Sequence, residues 1–183
     1  YTRRYTLSLH DALPISYTVA VLEKLSEMTF ADGRWDEAAS AYRRLYDAAP
    51  SRTGREEAMT GYVRATVAGG DAAKIEAMAA EVEACKDAGA VATREARYAL
   101  ATQLRESGDE ARAAKIYREL AKDVRTKEGS EAAYRLIEQT FAADNMDRTE
   151  KEVFAFSERE PKPYWLAKRS EERRVGKECI ALC

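Results

Sequence analysis

A turn that recurs at nearly constant spacing constrains this chain more than any other feature. Gly33, Gly70-Asp71 and Gly108-Asp109 lie 37 and 38 residues apart, and Asp144-Asn145 follows after 36 more. Each turn stands between two stretches whose apolar residues recur every three or four positions, the spacing of a helix that buries one face. In the first unit Leu22, Leu25, Met28 and Thr29 form a stripe before Gly33. Ala38, Ala41, Tyr42 and Leu45 form another after it, starting at Asp36 or just before. Pro50 cannot continue a helix and marks the stop. Ser26 and Ala38 are small where the two helices are expected to cross closely, and larger apolar residues fill the space between units.

The later units vary this plan. The second predicts helices over 53–68 and 72–87, with the stripe Ile75, Met78, Ala79, Val82 and Cys85, although Val63 and Ile75 stand where small residues are expected. The third carries Leu100, Ala101, Leu104, Ala113, Tyr117 and Leu120 at the corresponding positions. The fourth uses Leu136, Ile137, Thr149, Val153, Phe156 and Pro161, with Asp144-Asn145 expected to take the left-handed conformation usually left to glycine. Pro163-Tyr164-Trp165-Leu166 opens a fifth unit that does not develop. Without a convincing alternating strand run, the expectation is an all-α chain of helical pairs.

These residues resemble the tetratricopeptide repeat, a helix-turn-helix of about 34 residues. The motif positions fall on Leu22, Leu25, Ser26, Thr29, Gly33, Ala38, Tyr42, Leu45 and Pro50 in the first unit. The resemblance implies an α-α superhelix of about four repeats (19–52, 53–89, 90–125 and 129–161, with the start of a fifth at 163–168), enough to fold independently. The KDAGA segment, 86–90, is the expected hinge between halves. The resemblance also implies that the first helix of each pair lines a concave partner-binding face. Off-stripe residues there are Glu23, Glu27 and Phe30; Thr60, Arg64 and Val67; Tyr98, Thr102 and Arg105; and Tyr134, Glu138 and Phe141. Glu23, Glu27, Phe30, Arg64, Tyr98, Arg105, Tyr134 and Glu138 are the candidate contacts. The alternative role of Phe30, Tyr98, Tyr134 and Phe141 is packing between repeats. The lysine/asparagine clamp by which some family members hold a C-terminal carboxylate does not occur: Glu23, Glu27, Gly61, Glu95 and Ala99 occupy its positions.

The two ends do not share the pattern. Residues 169–179, RSEERRVGKEC, have a back-translation whose reverse complement, in a shifted frame, encodes Thr6 to Ile15 and the first base of a serine codon. Both segments resemble translations of a short-read sequencing adapter. Residues 1–16 and 169–183 are therefore set aside as artefactual, and 17–168 is the expected repeat domain, a fragment cut at both ends. The chain's one histidine, His10, falls in the first segment, and Cys179 and Cys183 in the second. The basic run 169–177 is then no nucleic-acid patch. The truncated fifth unit around Trp165 leads us to expect non-native self-association through that end.

Between the ends, 24 Lys plus Arg face 28 Asp plus Glu, a net charge of −4 with the signs interspersed. That describes a solvated helical surface with no pull toward nucleic acid or an anionic membrane. No stretch approaches the roughly 20 apolar residues of a membrane span. Cys85 alone remains there, so no internal disulfide forms and a periplasmic and a cytoplasmic setting stay equally open. It lies on an apolar stripe and is expected to be buried. Paired carboxylates such as Glu56/Glu57 lack apolar surroundings, and no nucleophile-base pair, phosphate loop or metal-ligand cluster occurs. The expectation is a non-enzymatic protein–protein interaction scaffold without cofactor or metal. Residues 134–168 resemble later repeats of large bacterial tetratricopeptide proteins, several of them associated with the cell envelope, which implies envelope assembly as a setting. The alternative is a regulatory or substrate-docking arm of a larger enzyme or signalling protein.

Overall fold

The recurring turns set the architecture. The computed structural model describes residues 15–159. Helices α1 (Ile15–Ala31) and α2 (Trp35–Ala48) flank Gly33, and α3 (Arg52–Gly69) and α4 (Ala72–Ala84) flank Gly70. Helices α5 (Ala90–Glu106) and α6 (Glu110–Leu120) flank Gly108, and α7 (Lys127–Ala142) and α8 (Met146–Glu158) flank Asp144. All regular structure among the described residues is helical, so the chain is all-α. No helix among them is long and apolar enough to cross a membrane.

Each turn works by a left-handed residue followed, in three of four cases, by a helix cap. Gly33, Gly70 and Gly108 have φ of 73°, 69° and 88°, and Asp144 takes the same role at 55°, as the register predicts. Asp71, Asp109 and Asn145 then accept the backbone N–H of Lys74, Arg112 and Arg148 at 2.9, 3.1 and 3.2 Å. Each such cap is worth about 1 kcal/mol. The first turn has Arg34 in that place with no side-chain cap. Ser51 and Thr126 cap α3 and α7, their hydroxyls accepting from Gly54 and Gly129.

The chain divides into two compact units, one through Thr93 and one from Arg94. The expected hinge, 86–90, overlaps the α4–α5 loop, but the division falls beyond it, within the first turn of α5. In the first unit α2 packs against both α1 and α3. Leu22, Leu45 and Ala58 form a cluster with Val19, Tyr42 and Tyr46 at its edge. Ser26 and Ala38 are buried, as their small size predicts for a close crossing. Val63 and Ile75 are buried in spite of their bulk. In the second unit Ala101, Leu104, Ala113, Tyr117, Leu120, Tyr134, Ile137 and Phe156 share one core.

Three expectations need correction. Leu25 and Met28 are exposed, at 39% and 52%, while Leu22, Ser26 and Thr29 carry the contact of α1. At 100° per residue Leu25 and Met28 turn progressively away from the α2 side, and no neighbouring helix among the described residues covers them. Helix α4 ends at Ala84 and not near Asp87. Cys85 leaves its apolar stripe to become the extended C-cap, half-buried, with its Sγ 2.9 Å from the Tyr46 hydroxyl. Residues 1–14, the tail 169–183, Pro161 and the fifth-unit opening with Trp165 lie outside the described residues.

Candidate functional site

Helices α1 and α3 each turn a second face, adjoining their packing stripes, toward a common groove of about 940 Å³ in the first unit. From α1 come Val19, Glu23, Ser26, Glu27 and Phe30, and from α3 Thr53, Glu57, Thr60, Gly61 and Arg64. Both sets step by three and four residues, so each is one continuous helix face. Glu56 lies beside Glu57, and Ala90 and Val91 at the start of α5 complete the lining. Tyr42 and Leu45 reach it from α2.

The aromatic wall is fixed in place. Phe30 meets Trp35 edge-on at 5.1 Å between ring centres and Tyr42 at 6.4 Å. Tyr42 in turn lies against α3 at Gly61. A Cβ built on Gly61 would stand 2.4 Å from two carbons of the Tyr42 ring, so the ring holds its position only because no side chain is there. Phe30 is half-buried and both packs and lines the groove.

The groove's charge is mainly negative. Glu23, Glu27, Glu56 and Glu57 face it together with one cation, Arg64. Lys24 lies 3.7 Å from Glu27, and Arg52 donates to Glu56 at 2.8 Å. Glu23 and Glu57 make no ion pair among the described residues. A different, interlocked cluster ties α2, α3 and α4 together. There Arg43 and Tyr62 both donate to Glu81, at 2.5 and 3.0 Å. Burial and the Glu81 carboxylate push the Tyr62 phenol up to about 12.

The structure thus brings Glu23, Glu27, Phe30 and Arg64 to one surface. It does not do the same for the four candidates of the second unit. Tyr134 is 1% exposed and belongs to the core, which corrects its assignment as a contact. Position 134 lies one helical turn before Ile137, so its ring falls on the same buried face and joins the core with Tyr117, Leu120 and Phe156. Glu138 accepts a hydrogen bond from Arg135 at 2.7 Å. Tyr98 packs against Tyr117 at 5.9 Å, and its phenol interacts with the side chains of Glu131, Arg135 and Thr102. Burial and Glu131 keep its phenol well above the ordinary range. Arg135 loses solvation by burial, yet its bonds to Glu138 and Tyr98 still hold its pKa above the usual value. Tyr98 and Glu138 therefore belong to an internal polar network, and Arg105 is half-buried. Phe141, read alternatively as packing, is 54% exposed.

Sequence reasoning missed Glu56 and Glu57 as groove residues and read Tyr42 as packing alone. The signal was present in the three- and four-residue steps that run from Thr53 to Arg64. No group of three or more His, Cys, Asp or Glu among the described residues is placed to hold a metal ion. Comparison with family models, with curated proteins and with solved structures gives no match.

Proposed function

We propose that this chain is a non-enzymatic, tetratricopeptide-like interaction scaffold and that the groove between α1 and α3 is its partner-binding surface. One observation carries the reading. Four side chains selected by repeat register, spread from residue 23 to residue 64, line a single groove with a pre-positioned aromatic wall. Rigid aromatics that need no ordering on binding make effective anchor sites for a peptide. Two helix faces side by side suit an extended segment or a partner helix. The likeness of residues 134–168 to envelope-associated bacterial repeat proteins supports envelope assembly as the setting.

The test is selection of a random displayed peptide library on the full chain, against the variant Glu27→Trp. Position 27 is exposed, so the indole enters the groove without disturbing the core. Peptides that bind the parent chain should fail on the variant. If the selected peptides bind both proteins equally, the groove is not the site. If no peptide is enriched, the scaffold reading itself is refuted.

A further inference from the structure

Charge complementarity narrows what this groove accepts. We infer that its occupant is a lysine- or arginine-bearing segment of a partner protein, with an apolar side chain resting on Phe30 and Tyr42. The inference rests on the proposed scaffold function and adds the chemistry of the partner.

Four carboxylates and one guanidinium line the groove, and the acidic groups are unevenly placed. Glu56 and Glu57 stand in the early turns of α3, while Arg64 lies seven residues beyond Glu57. At 1.5 Å per residue that is two helical turns, about 10 Å. Glu23 on α1 adds a third carboxylate to the lining, and Glu27 a fourth. Two of the four already have a cation close by, Lys24 at Glu27 and Arg52 at Glu56. Glu23 and Glu57 have no such partner among the described residues, so an incoming cation at either meets no ion pair it must first displace. An acidic segment or a nucleic-acid backbone would set like charges against this lining, a costly arrangement that suppresses wrong partners. The same groove carries an aromatic wall, with Phe30 and Tyr42 at 6.4 Å. The pattern suits a segment that alternates cationic and apolar side chains. Arginine is favoured at the aromatic edge because its planar head stacks on rings.

The experiment uses the same displayed library on the full chain and on the double variant Glu23→Lys/Glu57→Lys. Both positions are exposed, and circular dichroism checks that the variant keeps its helices. The expected result is enrichment of peptides with an excess of Lys and Arg on the parent chain. One such peptide, synthesised with capped ends, should bind the double variant at least about tenfold more weakly at low ionic strength, because two attractions become repulsions. Added salt should narrow that difference. The variant's own selection should shift toward acidic peptides. Neutral or acidic peptides enriched by the parent would overturn the charge inference and leave the scaffold reading standing. Cationic peptides indifferent to the double substitution would also overturn it, since they bind elsewhere. No enrichment at all would remove both.

Discussion

Gly61 and Tyr42 should be energetically coupled, and the size of the coupling follows from their geometry. A methyl group at position 61 would sit 2.4 Å from Cδ1 and Cε1 of Tyr42 and 2.7 Å from Cζ. Ordinary carbon contacts are about 3.5–4.0 Å, so the ring or helix α3 must retreat by roughly 1 Å. The ring's retreat is hampered because Tyr42 also meets Phe30. Overpacking of this kind costs about 1–3 kcal/mol. Against it, alanine in a helix interior is favoured over glycine by about 1 kcal/mol. Gly61→Ala should therefore destabilise the chain by roughly 1 kcal/mol, and by no more than about 2. With Tyr42→Leu already in place the clash is gone, and the same change should stabilise by about 0.5–1 kcal/mol. Urea and thermal unfolding of the four proteins, followed by far-ultraviolet circular dichroism, measures the cycle. The melting temperature should move by about 2–4 °C per kcal/mol for a chain of this size. Equal effects of Gly61→Ala in both backgrounds would refute the close-approach argument.

Three further outcomes follow from the same structure. Gly129→Ala places a Cβ 1.9 Å from the Asp123 carbonyl oxygen, a backbone atom with little freedom to yield, so a loss above about 3 kcal/mol is expected; near-parental unfolding midpoints would contradict it. Asp144→Gly relieves a side chain held at φ 55° and should stabilise by about 0.5–1 kcal/mol, whereas Gly108→Ala, at φ 88°, should cost about 1–2; opposite signs in chemical denaturation would show that these turns are not strained as read. The Tyr46 phenol, through its bond with Cys85 and then burial, and the Tyr62 phenol, through burial and then Glu81, are both raised from 10.0 to about 12. Raised values mean that the folded state holds these protons more tightly, so the stability they contribute is complete below pH 10 and declines as pH rises through 12. Urea midpoints should fall across that window, less steeply in Tyr62→Phe, and a midpoint unchanged from pH 9 to 12 would exclude the linkage.

The turns were legible because they depend on one residue each. A position that needs positive φ selects glycine or, at Asp144, a short polar residue, and that choice survives without knowledge of neighbours. The stripes were legible only in part. Periodicity shows that Leu25 and Met28 lie near an apolar face; it does not show whether a neighbouring helix covers that side. Cys85 continued its stripe in the sequence, but α4 stops one residue before it. Within the groove, register located Glu23, Glu27, Phe30 and Arg64. It passed over Glu56 and Glu57 because they lie in the early turns of α3, before the off-stripe positions from Thr60 onward. Gly61 looked like a departure from a binding pattern, and its structural reason, room for a ring from α2, depends on tertiary packing.

Equivalent register positions have opposite fates in the two units, and side-chain length and pairing account for the difference. Counted from the turn residue, Glu23, Tyr98 and Tyr134 occupy one position, and Glu27, Arg64 and Glu138 another. In the second unit the aromatic members are long enough to reach apolar surface. Tyr134 is buried outright and Tyr98 rests on Tyr117. Arg135, in contact with Tyr98, also lies 3.6 Å from Glu131 and donates to Glu138 at 2.7 Å. Those charges are paired with one another, and a ligand would have to replace these contacts before gaining new ones. In the first unit the same position carries Glu23, a side chain that gains nothing from burial and stays in water. With Glu23 and Glu57 unpaired among the described residues and Phe30 already fixed by Trp35, an incoming cation replaces water and not an internal ion pair. A repeat face therefore becomes a candidate binding surface where its off-stripe residues cannot satisfy one another, and in this chain that condition is met between α1 and α3.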